Sequence, residues 1–271
     1  MRPFHIKINT TMQFLPQIIR IRKAFQLTGR LLLPNVMDLD AADYLDDIDW
    51  QPDPPENYCP HCGQTVGPYT ALPKGCSDCH NKRLAWDRII RLGSYDPPLD
   101  RRIKAFKYNR QWKWSAYFGQ LIARSLPRTS KSYPAIITDV PLHRNRLYKR
   151  GYNQSALLAK QIARYHNIQY RPLVRRIVNT LPQSQLPPSK RRSNVSGAFQ
   201  LIHPDLDLTN TQIILVDDIK TSGSTLKQCS TLLKQAGALT VTVTVIAVAD
   251  PKSYDDPEEH NIRQAIEQAL Q

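Results

Sequence analysis

The chain has 271 residues, 41% of them apolar, and a formal net charge of +14. This suffices for one large domain with or without a small appendage, and it excludes a wholly disordered chain. No apolar run reaches the roughly 18 residues of a membrane span, so no transmembrane segment is expected and the cytoplasm is the expected compartment.

Residues 1–37 read as a basic, helical N-terminal segment. Its first 33 residues hold no acid, and Arg20, Arg22 and Lys23 interrupt its apolar stretches, which makes a poor secretory signal. An amphipathic helix over 15–33 is the plain reading and an organelle transit peptide the sharper one, with Met12 as an alternative start. Residues 38–57 reverse the charge, with eight acids, no base and three prolines, and read as an acidic linker or exposed loop. They lack the glycine and ligand spacing of a calcium loop.

Residues 58–84 carry two C-x-x-C pairs, Cys59 with Cys62 and Cys76 with Cys79, thirteen residues apart. Each tight turn points two sulfurs at one ion, so the pairs together provide the four soft tetrahedral ligands of a structural zinc site. Disulfides need an oxidising compartment, and redox dithiols come beside a thioredoxin-like pattern that is absent here. His61 and His80 are spare ligands beside a shell that four thiolates already close.

From 85 to 250 the chain alternates strand-like and helix-like segments, the pattern of a mostly parallel sheet covered by helices. "AIITDV", "QIILVDD" and "LTVTVTVIAVA" read as strands. "NQSALLAKQIARY" reads as a helix begun by Asn153, and "GSTLKQCSTLLKQAG" as a helix stopped at Gly237, with Cys229 in its core face. Residues 251–271 end in a short amphipathic helix. Two stretches, "RRIKAFKYNRQWKW" and "PLHRNRLYKRGYNQ", mix cations with aromatics, as grooves for single-stranded nucleic acid and many ordinary surfaces do.

The segment "ILVDDIKTSGST" carries the most chemistry. An apolar strand ends in Asp217 and Asp218, where open parallel sheets bind ligands. Thr221, Ser222, Gly223, Ser224 and Thr225 then lead into a helix. Backbone N–H groups and the helix dipole favour an anion there, and Gly223 permits close backbone approach. The arrangement suits a monophosphate, with the carboxylates accepting from a vicinal diol or from water on magnesium. A phosphate beside a diol is the 5-phosphoribosyl group. The P-loop string and the dinucleotide-binding fingerprint are both absent.

These residues resemble the phosphoribosyl-diphosphate (PRPP) motif of type I phosphoribosyltransferases. Together with "VPLHRNRLYKRGYNQSALLA", "QSQLPPSKRRSNVSGAF" and the four-cysteine module, they resemble the ComF family of competence-associated bacterial proteins over about residues 58–250. Ser222, Ile219 and Tyr152 stand where Thr, Val and Phe are usual. The resemblance implies a phosphoribosyltransferase-like α/β domain over 85–250, with Mg²⁺ accompanying PRPP and structural Zn in the N-terminal module. Asp217 and Asp218 would hold the ribose hydroxyls and act in catalysis, and residues 221–225 would hold the 5-phosphate. Pro141, Leu142, His143, Arg144 and Arg150 would bind pyrophosphate, and Lys190, Arg191 and Arg192 would close over it from a mobile hood. Gly151, Asn153 and Gln154 would line the cleft.

The implied role is PRPP binding, with phosphoribosyl transfer to an unknown acceptor, in natural competence and the processing of incoming DNA. Other DNA-uptake proteins would be partners. One alternative is a non-catalytic binder of single-stranded DNA with PRPP as regulator. Another is a biosynthetic transferase, for example one using an amine donor.

Overall fold

The computed structural model describes residues 50–67, 75–108, 111–130, 132–178 and 197–249. The expected N-terminal and C-terminal helices, and the hood residues Lys190, Arg191 and Arg192, lie outside them.

The strands are β1 (Arg88–Ser94), β2 (Ala135–Asp139), β3 (Gln169–Tyr170), β4 (Val174–Arg176), β5 (Phe199–Leu201), β6 (Gln212–Val216), β7 (Ile219–Lys220) and β8 (Thr240–Val248). The helices are α1 (Leu99–Tyr108), α2 (Trp114–Ser125), α3 (Arg144–Arg150), α4 (Gln154–His166) and α5 (Ser224–Gln235). Asn153 caps α4 by accepting from Ser155 N, and Gly237 lies just past α5 at φ +93°, both as their sequence signals predict.

Among the described residues the main sheet runs β1-β8-β6-β2-β3, with β7 also on β8, and every pairing in it is parallel. β4 and β5 form a separate antiparallel ribbon. Successive residues of a strand face opposite sides of a sheet, and a sheet covered on both faces needs apolar residues at both. β6 meets this demand. Ile214 and Val216 join the core made with α1, α2 and α4, while Ile213 and Leu215 join the core made with α5 and the ribbon. Each such burial contributes about 1.5–3 kcal/mol. Strand β6 is thereby anchored firmly enough to hold two carboxylates at its end.

The order of the strands creates a crevice. From β2 the chain passes through α4 to β3 on one side, and from β6 it passes through α5 to β8 on the other. Their helices pack on opposite faces. Nothing in the main sheet separates the carboxyl ends of β2 and β6, which is where such sheets hold ligands.

The end of the acidic stretch is packed on the domain. Asp53 N donates to Leu92 O, Trp50 packs against the core, and Asp53 Oδ2 lies 2.6 Å from Arg91 Nη2. Arg91 is almost wholly buried on β1, so its charge needs a partner, and Asp53 supplies one. No helix among the described residues is long and apolar enough to cross a membrane.

Candidate functional site

The acidic pair interrupts a strand. β6 and β7 follow the same register against β8, Val216 opposite Thr244 and Ile219 opposite Ala247. Asp217 and Asp218 fall between them, still tied by Asp217 N to Thr244 O and by Ile246 N to Asp218 O. On the other side β2 has ended at Asp139, and Val140 N makes the last bond, to Val216 O. The two carboxylates therefore leave the sheet where β6 loses its second neighbour.

Each carboxylate is met by a different helix. Ser155 Oγ, in the first turn of α4, donates to Asp217 Oδ1 at 2.9 Å, and Asp218 N donates to the same oxygen at 2.9 Å. Lys107 Nζ, in the last turn of α1, lies 3.2 Å from Asp218 Oδ2. The Asp217 carboxyl is pushed up to about 7, by burial first and then by the charge of Asp218. It stands poised to change protonation near neutrality.

A third acid supports them. Asp139 is buried at the end of β2, accepting from Asn153 Nδ2 at 2.7 Å and from Tyr170 Oη at 2.8 Å. Burial raises its pKa. Asn153 thus caps α4 and pins it to the end of β2, which aims Ser155 at Asp217.

The loop after β7 turns at Gly223, whose φ of +74° suits glycine, and α5 begins at Ser224. Gly223 offers no side chain to the first-turn N–H groups of the helix. Ser222 Oγ and Ser224 Oγ lie 2.9 Å apart, so two hydroxyls converge at the helix start. Thr221 and Thr225 flank them.

The turn after β2 holds Pro141, Leu142 and His143, all partly buried, with Arg144 exposed. His143 Nδ1 accepts from Asn145 N and caps α3, which closes at Gly151. Arg150 lies over the ring of Tyr108 and donates to Gln154 Oε1 at 3.3 Å. Gln154, buried, donates to Lys107 O, and Tyr152 stacks on Phe106 and donates to Phe106 O. The block "RGYNQ" is thus fastened to the end of α1 that carries Lys107.

Sequence reasoning does not single out Asp139, Ser155 or Arg176, and it takes Lys107 only as one cation in a basic-aromatic stretch. Asp139 had a signal, since "AIITD" ends in an acid as "IILVD" does. Arg176 lies over the ring of Phe199, and its guanidinium is pushed down to about 10 by burial and then by the nearby charge of Arg146, while Asp217 acts to raise it.

The four cysteines form a separate cluster, all buried and none in a disulfide. Their sulfurs lie within 4.8 Å of one another, at 3.7 Å for Cys59 and Cys79 and 3.5 Å for Cys62 and Cys76. Four sulfurs at about 2.3 Å from a tetrahedral ion would stand about 3.8 Å apart, so the spacing fits a metal ion. Burial pushes the Cys79 thiol up to about 11, and a bound cation would reverse that. Gly75, at φ +99°, is required here because a Cβ would lie 2.6 Å from Cys79 Sγ. His80 Nδ1 instead contacts the carbonyls of Cys76 and Ser77. Cys229, on α5, is buried in the core, as expected.

No protein-family model matches the chain. Among curated proteins it is 33% identical over 197 residues to competence protein F of Haemophilus influenzae, covering 71% of this chain and 85% of that one. It is 31% identical over 190 residues to the DNA utilization protein YhgH of Escherichia coli, covering 68% of this chain and 81% of that one. Among solved structures, a hypoxanthine phosphoribosyltransferase from Staphylococcus aureus covers 54% of this chain and 66% of its own at 13% identity and a TM-score of 0.32. TT1426 from Thermus thermophilus covers 54% and 78% at 15% identity and a TM-score of 0.33. These two likenesses are too slight to carry an argument.

Proposed function

We propose, from the premise that the chain belongs to the competence protein F family, that it binds PRPP with Mg²⁺ in the crevice between β2 and β6 and serves the uptake and processing of DNA in the cytoplasm. The observation that carries the reading is the acidic pair at the end of β6, followed at once by a hydroxyl-rich loop that opens α5. Loop and helix start suit a phosphate, and the two carboxylates suit the hydroxyls of the ribose that bears it.

In this reading residues 221–225 hold the 5-phosphate, and Asp217 and Asp218 hold the ribose. Pro141, Leu142, His143, Arg144 and Arg150 take the pyrophosphate, joined by Lys107, Arg146 and Arg176. Lys190, Arg191 and Arg192 would close the hood. Gly151, Asn153 and Gln154 shape the wall. Carboxylate oxygens suit a hard cation, and magnesium bound with the ligand would neutralise the charge of the leaving pyrophosphate. The bond from the anomeric carbon to pyrophosphate breaks, and a bond to a nitrogen nucleophile forms. Asp217 and Asp218 stabilise the positive charge that builds on the ring, and the protein's part is mainly electrostatic. The cysteine cluster holds a structural zinc whose four thiolates leave no open position for catalysis.

The test is calorimetric titration of PRPP with Mg²⁺ into wild type and the Asp217→Asn/Asp218→Asn variant. Wild type is expected to bind, and the variant to bind at least about tenfold more weakly, given that charge-assisted hydrogen bonds are the strong ones. A wild type that does not bind removes the reading. Pyrophosphate release across a panel of nitrogen acceptors then separates a transferase from a PRPP-regulated binder.

One observation favours a second role. Tyr148 is 90% exposed beside the exposed cations Arg144 and Lys149, Tyr108 is exposed under the guanidinium of Arg150, and Trp112 is exposed too. Such aromatics stack on the bases of single-stranded DNA while the cations meet its phosphates. Binding of a labelled oligonucleotide that falls steeply with salt, and falls again in Tyr148→Ala, would support it.

A further inference from the structure

The first cysteine knuckle lies against β1 and β8, within reach of the loop after β7. Ile89 N, on β1, donates to Pro60 O at 2.9 Å. A Cβ at Gly63 would lie 2.9 Å from Val248 Cγ2, and Val248 pairs with Lys220 across β7 and β8. Trp86 Nε1 donates to His61 O at 2.7 Å. The far edge of the same indole, at Cη2, comes within 3.4 Å of the place a Cβ would take at Gly223, and Lys220 Cε comes equally close from β7. Trp86 and Lys220 are both buried. Two buried side chains thus fill the space between the knuckle and the glycine of the loop.

Pro60 and His61 are the two residues between Cys59 and Cys62. Their carbonyls are fixed when both cysteines hold one ion, because the ion closes the turn that presents them. Release of the ion frees that turn, and metal binding energy in such small modules is folding energy. The indole then loses the anchor at one end that sets its position at the other.

We infer that Trp86 is a positioning residue for the loop at 221–225, and that the metal, acting through His61 and Trp86, and the phosphate ligand favour each other's binding. This rests on the reading of that loop as the 5-phosphate site. Linkage makes the coupling reciprocal, so a ligand that orders the loop must tighten the metal by the same factor.

The experiment uses the full-length, zinc-loaded protein and sets it in equilibrium competition with a chromogenic chelator, with and without saturating ribose 5-phosphate and Mg²⁺. Ribose 5-phosphate is expected to raise the zinc affinity of wild type at least about fivefold, the low end of ordinary coupling. Trp86→Phe keeps a ring in place but deletes the N–H donor, and it should reduce that factor to about twofold or less. Trp86→Phe keeps any coupling that runs through folding alone, so the difference between wild type and variant reports the route through Trp86. Calorimetry on the same samples reports ribose 5-phosphate binding independently. If wild type binds it and zinc affinity does not move, the coupling is overturned while the phosphate site stands. If Trp86→Phe keeps the full factor, the route through Trp86 is overturned. If loaded wild type does not bind ribose 5-phosphate, the phosphate site falls and this inference falls with it.

Discussion

Lys107 Nζ stands 3.2 Å from Asp218 Oδ2, so the last turn of α1 and the acidic end of β6 meet across the crevice. Both side chains are mostly buried, at 17% and 13% exposure, and neither charge has much water to fall back on. Removing one partner strands the other. Lys107→Met is expected to lower the free energy of unfolding in urea by about 2 kcal/mol, below the 3–5 of a fully buried pair because some solvent remains. Adding Asp218→Asn should cost less than the sum of the single changes by about 1 kcal/mol. Strict additivity would mean that the contact contributes nothing.

Asp217 makes stability depend on pH. Its carboxyl is pushed up to about 7 in the folded chain, chiefly by burial, whereas an unfolded chain titrates the group near about 3.9. The folded state holds that proton more tightly. The resulting stabilisation is full below about pH 4 and is lost as pH rises through about 7. Asp217→Asn cannot ionise there. Between about pH 5 and 8 the melting temperature of wild type should fall relative to that of the variant by at least about 3 °C. Parallel curves would show that Asp217 is ionised throughout.

Metal content tests the cysteine cluster residue by residue. Purified wild type is expected to carry about one zinc per chain by mass spectrometry of the metal. Cys76→Ser should lose it, and Gly75→Ala should lose most of it, since the added Cβ would lie 2.6 Å from Cys79 Sγ. His61→Ala should keep it, because four thiolates complete the shell. Loss in His61→Ala would mean that histidine is a ligand.

Asp53→Ala removes the carboxylate that faces Arg91 at 2.6 Å. Arg91 is 1% exposed and keeps Thr65 Oγ1 at 2.9 Å and the ring of Tyr58. Because Asp53 itself is a third exposed, the expected loss is about 2 kcal/mol, below that of a fully buried pair. Chemical denaturation measures it. No change would mean that the end of the acidic stretch is incidental to the fold.

Asn153→Ala deletes a helix cap and one of the donors to buried Asp139 together. The cap contributes about 1 kcal/mol, and an under-satisfied buried carboxylate costs about 1–3 more. Ser155 would also lose its aim at Asp217. The variant should therefore weaken PRPP binding as well as stability, read by calorimetry and denaturation on the same protein.

Features that depend on neighbours along the chain are legible in the amino-acid sequence itself. Two C-x-x-C knuckles declare a four-sulfur site because each turn is local, and only the meeting of the two is left to the fold. Alternating strand and helix patterns declare a covered parallel sheet. "VDDIKTSGST" declares its own geometry, because strand end, glycine turn and helix start follow one another without a gap. Which distant side chains converge on that segment is decided by the tertiary structure alone. Lys107 reaches Asp218 because Tyr152 and Gln154 fasten the end of α1 to the start of α4. Ser155 reaches Asp217 because Asn153 is pinned to Asp139. Trp86 reaches Gly223 because the knuckle packs on β1 and β8 and holds the indole through His61 O. These meetings depend on strand order and on which face each helix covers, and both are set by burying apolar surface across the whole domain rather than by any local pattern.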